Sequence, residues 1–95
     1  MLMNNTLFLK EKNEVHGGIQ HIYTFPNGYG ASVIKHKGSY GYAQDKWEIA
    51  PLDNNGDFIG QSIFGWYDDV KGHLNDPQVD AILKDISNLE VPVDA

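Results

Sequence analysis

The sequence predicts an α+β domain, an antiparallel sheet of four to five strands covered on one face by a C-terminal helix. Three observations carry that prediction. Short runs between residues 6 and 64 alternate apolar with polar side chains, the period of a half-buried sheet. Residues 75–89 switch to the 3.6-residue period of an amphipathic helix. The whole chain has 95 residues, enough for one core and too few for two. The expected layout is one domain over residues 1–95: sheet at about 6–64, connector 65–74, helix at about 75–89 and tail 90–95.

Thr6 to Lys12 reads as a first strand, with Leu7 and Leu9 on one face and Phe8 on the other. Its Lys10-Glu11-Lys12 suits an exposed edge, where charge discourages foreign pairing. Asn13 to Gly18 is polar and turns the chain back. A hairpin follows, centred on Phe25-Pro26-Asn27-Gly28-Tyr29-Gly30. Pro26 presets φ for a type I turn, Asn27 tolerates the next position, and Gly28 supplies the positive φ that closes it. Ile19, His21, Tyr23 and Phe25 share one face on the way in; Tyr29, Ala31 and Val33 alternate on the way out. Gly30 inside a strand marks a bulge or a close approach of another backbone.

Lys35 to Asp45 reads as a long loop or a wide hairpin end. Lys46 to Leu52 is the next strand, with Trp47 and Ile49 on one face. Pro51 places it at a strand end or an edge. Asp53-Asn54-Asn55-Gly56 is a turn, and Asp57 to Phe64 is expected to be the last strand. In the connector, Asp68 or Asp69 is placed to cap one helical turn that Gly72 ends. Asn75 is the N-cap of the final helix, with Pro77 in its first turn and Gln78 at the capping-box position. Val79, Ile82, Leu83, Ile86 and Leu89 form its apolar face, with Ile82 at the centre. On that centring Asp76 and Asp80 point outward and Asp85 lies nearer the buried boundary.

Composition narrows function by exclusion. There is no cysteine, so no disulfide framework, zinc–thiolate site or thiol nucleophile. No apolar run approaches the ~20 residues that span a bilayer, and the N-terminus lacks the features of a signal peptide, so a cytoplasmic protein without a membrane partner is expected. Seven lysines, no arginine and thirteen acids make direct nucleic-acid binding unexpected. The acids are uneven: residues 45–95 carry eleven against three lysines, a net −8. They come from separate turns and from the helix, which predicts a dispersed acidic surface with no phosphate-like rows.

No motif carries an enzyme prediction. Asp53 to Asp57 has the oxygen spacing that opens a calcium loop, but Phe58 and Phe64 occupy the positions where such a loop needs glycine and glutamate. His16, His21, His36 and His73 have no metal-ligand spacing, although His16 and His21 can approach across the first turn. Asp68 and Asp69 read as caps before they read as an acid–base pair. Ser32 and Ser39 lie in no nucleophile elbow. The expectation is a non-catalytic protein with no metal and no cofactor. Aromatic residues are the positive signal, being more numerous than one helix on one sheet needs. Tyr40 and Tyr42, and Trp66 and Tyr67 beside Asp68 and Asp69, are the candidate partner-binding residues.

The stretch Phe25-Pro26-Asn27-Gly28-Tyr29-Gly30-Ala31-Ser32-Val33 resembles a group of small uncharacterised accessory proteins encoded by bacterial viruses. Trp47-Glu48-Ile49-Ala50, Asp68-Asp69-Val70 and Gly72-His73-Leu74 ahead of the helix extend the resemblance over residues 19–89. The chain departs from the group at Ala43–Lys46 and at Ile63–Trp66. The resemblance carries over no catalytic residue. It implies a setting in the host bacterial cytoplasm and a role in binding and inhibiting a host or anti-phage defence protein. A self-associating scaffold, exposing a strand edge at Thr6–Lys12 or Lys46–Leu52, is the alternative.

Overall fold

Turn chemistry and strand alternation together set the sheet. The computed structural model describes residues 8–91. Five antiparallel strands pair in chain order: β1 (Leu9–Val15), β2 (Gly18–Thr24), β3 (Gly30–Lys35), β4 (Trp47–Leu52) and β5 (Lys71–Leu74). One helix, α1 (Asp76–Ser87), packs across β3 and β4. The five-stranded sheet with a C-terminal helix is the architecture expected from the sequence.

β1 runs later than the expected Thr6–Lys12; Thr6 and Leu7 lie outside the described residues. Asn13, Glu14 and Val15, read as part of a turn, continue the strand and pair with Gln20, Ile19 and Gly18. The reversal needs only His16 and Gly17, whose φ values of 45° and 77° give the two-residue turn that matches strand twist. Histidine tolerates that region better than most side chains, so the signal is easily missed.

The β2–β3 corner forms as expected. Gly28 N donates to Phe25 O at 3.0 Å, Phe25 N donates to Tyr29 O at 2.8 Å, and Gly28 takes φ 91°. The register from Ile19↔Lys35 to Thr24↔Gly30 is unbroken, so Gly30 marks a close approach and no bulge; a Cβ there would strike the Tyr23 carbonyl. Pro51 O accepts from Ile59 N. Its missing N–H therefore faces away from β3, beyond the reach of β5, and costs the sheet nothing.

Asp57–Phe64 is not the last strand. Only Phe58 bridges back to Leu52; from Ile59 the chain coils, with Ile63 N bonded to Ile59 O and Gly65 N to Gln61 O. Gly60 lies against the Asp69 backbone, where no side chain fits, and this contact pulls the chain out of the sheet. The fifth strand comes instead from the expected connector. Neither Asp68 nor Asp69 caps a helical turn: Asp69 Oδ1 accepts from Gln61 N at 3.1 Å. Lys71–Leu74 pairs with β4, Leu74 opposite Trp47 and Lys71 opposite Ile49, with a bulge between them where His73 takes φ 58°.

The helix starts where its capping box predicts. Asn75 Oδ1 accepts from Gln78 N at 2.9 Å and Gln78 Oε1 accepts from Asn75 N at 2.8 Å. Val79, Leu83 and Ile86 are fully buried, whereas Ile82 and Leu89 are partly buried at the margin. The face therefore centres on Leu83. That rotation corrects the expected placement of the acids: Asp76 and Asp80 are half-buried at the helix–sheet boundary, and Asp85 faces solvent.

Trp47 and Asn27 bond the helix to the sheet, one at each end. Trp47 Nε1 donates to Asp76 Oδ1 at 2.8 Å. Asn27, buried at the hairpin corner, points its Nδ2 at the carbonyls of Ile86, Ser87 and Leu89, at 2.9, 3.2 and 3.0 Å, while its Oδ1 accepts from Tyr29 N at 3.0 Å. The last carbonyls of a helix have no partner within it, so this amide serves as a C-cap supplied from 59 residues away.

Candidate protein-contact surface

The candidate aromatics all lie around β5, on opposite sides of it. Tyr40 rests its Cβ against Gly72 and stacks on His73, ring centroids 6.5 Å apart. Its N donates to Glu48 Oε1 at 3.0 Å, and its O accepts from His73 N. Glu48 points away from the core, so Tyr40 belongs to the sheet face opposite α1. Tyr42 starts a short 3-10 turn (Tyr42–Gln44) in the same loop and is exposed at its rim.

Trp66 lies on the helix side. It is partly buried against the core, tilted on Phe64 at 5.4 Å, with Lys71 Nζ 4.5 Å from its ring centroid. Tyr67, next to it, is 95 % exposed. The loop that carries Tyr67 is nonetheless tied down. Trp66 N donates to Gly60 O at 2.9 Å, and Gln61 Nε2 donates to Tyr67 O at 2.8 Å. Asp69 holds Gln61 N, and Asp68 remains exposed beside Tyr67. The fold thus joins Trp66, Tyr67, Asp68 and Asp69 into one buttressed loop and leaves Tyr40 and Tyr42 on the other side of β5.

Many of the acids have local structural work. Asp53 Oδ1 accepts from the backbone N of Asn55 and of Asp57, at 2.8 and 2.9 Å, which completes a turn. Asp45 pairs with Lys35 at 3.2 Å, and Lys35 Nζ also sits 4.2 Å from the Trp47 ring centroid. Asp76 takes the Trp47 indole N–H. These three carboxylates are held in separate turns and contacts.

The histidines separate differently from the expectation. His16 meets His36, ring centroids 5.3 Å apart, and not His21. His21 lies on the core face between Tyr23 and Trp47, at 6.4 and 5.5 Å, with its Nδ1 buried and without a hydrogen-bond partner among the described residues. Burial, then the charge of Lys12, lowers its pKa below the ordinary 6.5. Burial, then Asp80, pushes the neighbouring Tyr23 phenol up to about 12. For His21 the unfolded chain takes up the proton first as pH falls through about 6.5, so stability is full above that value and declines below it until the folded form also protonates. Urea midpoints measured across this range should fall with pH, and His21→Phe should flatten the decline. An equal decline in both proteins would assign the effect to other groups.

An open cleft of about 230 Å³ lies between the β2–β3 corner and the Asp53–Gly56 turn, below the ~300–1,000 Å³ usual for small-molecule sites. A larger groove of about 420 Å³ is lined, among the described residues, by the β1–β2 turn, residues 14–19. Among the described residues no three His, Asp or Glu side chains are grouped to hold a metal ion, and no helix is long and apolar enough to cross a membrane. Comparison with protein-family models, with curated proteins and with solved structures finds no match to this chain.

Proposed function

We propose that this chain is a non-catalytic protein-binding accessory protein, an inhibitor of a host or anti-phage defence protein, and that the loop Gly65–Asp69 is its principal contact. The observation that carries the contact surface is Tyr67, 95 % exposed at the tip of a loop whose backbone is fixed from behind. An exposed aromatic on a pre-ordered loop contributes large contact area at small entropic cost, the pattern of interface hot spots. Asp68 beside it favours a partner with basic groups around an apolar pocket. The viral setting rests on the resemblance over residues 19–89.

Affinity capture from a bacterial lysate tests the proposal, with Tyr67→Ala as the discriminating variant. Tyr67 touches little of its own fold, so the variant should melt like the parent and lose about thirty-fold or more in affinity for the captured protein, ~2 kcal/mol. Trp66→Ala is a poorer probe because it also strips packing from Phe64 and Lys71. Tyr40→Ala/Tyr42→Ala reports on the opposite side of β5 and should bind like the parent. Binding should weaken only modestly with added salt; a loss of ~10³-fold or more on moving to physiological salt would instead mark a nucleic-acid mimic. Retention of no host protein, or equal retention by Tyr67→Ala, overturns the reading.

A further inference from the structure

Among the described residues no strand covers the outer edge of β1, and the sequence of that edge is complementary to itself. We propose that β1 pairs antiparallel with β1 of a second copy of this chain about a two-fold axis through Asn13, joining the two sheets into one.

Register follows from the first hairpin. A two-residue turn at His16 and Gly17 closes on a hydrogen-bonded pair, Val15 with Gly18. Pairs alternate from there, so Asn13 bonds toward Gln20 while Lys12 and Glu14 direct their backbone N–H and C=O outward, to the free edge. An antiparallel neighbour must therefore match outward residues with outward residues. Centring the axis on Asn13 sets Lys12 against Glu14 of the second copy and, by symmetry, Glu14 against its Lys12. Both pairs are opposite in charge, and both exchange backbone hydrogen bonds. Centring on Lys12 would satisfy the backbone equally but would oppose two lysines at the axis, which is destabilising. The Asn13 register also uses only Glu11–Val15, the part of β1 that follows the irregularity between Leu9 and Glu11.

A side-chain ladder points to the same axis. Ser32 Oγ accepts from Gln20 Nε2 at 3.1 Å, and Gln20 Oε1 accepts from Asn13 Nδ2 at 3.3 Å, a polar row across β3, β2 and β1 on the face opposite the helix. It ends at Asn13, on the edge. The two-fold places Asn13 beside its own copy, so the row continues into the second sheet as stacked amides do between paired strands. An axis perpendicular to the sheet keeps both helices on one side. Both Tyr67 loops, at the far edges, stay clear of the joint. Lysines on an edge strand ordinarily block pairing because they meet unlike geometry or like charge; here each lysine meets a glutamate.

Sedimentation equilibrium of the full chain over a wide concentration range tests the proposal. The parent should show a reversible monomer–dimer equilibrium. Lys12→Glu sets two glutamates against each other at both symmetric positions, and Glu14→Lys does the same with lysines. Each single reversal should weaken the dimer about ten- to a hundred-fold, and Lys12→Glu/Glu14→Lys together should restore it. Lys12→Pro removes an outward-facing N–H and should give a folded monomer. Both substituted positions, Lys12 and Glu14, are exposed, and circular dichroism checks that each variant remains folded. A parent that stays monomeric throughout, a dimer indifferent to the single reversals, or a double reversal that fails to recover overturns the proposal.

Discussion

Asn27→Ala is expected to lower stability by about 2–4 kcal/mol, a large part of the ~5–15 kcal/mol that holds a domain of this size. The side chain is 8 % exposed and faces the last carbonyls of α1. Truncation removes their donor while the hairpin corner still excludes water, so the carbonyls lose solvation without compensation. Tyr29 N loses its acceptor at the same time. Asn27→Asp is the informative companion. It keeps an acceptor for Tyr29 N but turns a carboxylate toward helix carbonyls that already carry the negative end of the helix dipole. At neutral pH Asn27→Asp should be at least as unstable as Asn27→Ala, and it should recover in acid as its carboxyl regains a donor. Thermal melts at two pH values decide the matter. An Asn27→Ala protein that melts within a few degrees of the parent would show that water replaces the amide.

The second large effect is on the helix face. Leu83→Ala should cost about 2–5 kcal/mol, because a fully buried leucine leaves both lost transfer energy and an unfilled cavity against β3 and β4. Ile82→Ala, one residue away, should cost clearly less, since Ile82 is only partly buried and solvent can fill the space. Ile82→Asp follows the same logic: its carboxylate can reach water at the helix margin, so it should be milder than Leu83→Asp, which buries an unpaired charge. Chemical denaturation of the two alanine variants gives the ranking directly. A larger loss at Ile82 would place the centre of the helix face one residue earlier and would contradict the burial of Leu83.

Local chemistry was legible in the residues. Pro26-Asn27-Gly28 announced the corner, Asp53–Gly56 announced the turn, and Asn75 with Gln78 announced the helix start, because each is settled by atoms within a few residues. The core faces of β2, β3 and β4 followed from alternation once the corner fixed their register. What the sequence did not carry was every decision made between distant segments. Asp57–Phe64 has the composition of a strand, yet Gly60 docks on Asp69 and the chain coils. Lys71–Leu74 is too short for alternation to reveal, and it becomes a strand because Trp47 and Ile49 offer it an edge. The orientation of α1 differs from the expected one by about one helical position, because five apolar residues define a stripe without saying which part of it the sheet will cover. Asn27 read as a turn residue; only the packed molecule makes it the cap of a helix 59 residues later, since an unpartnered carbonyl takes whatever donor the tertiary structure brings to it.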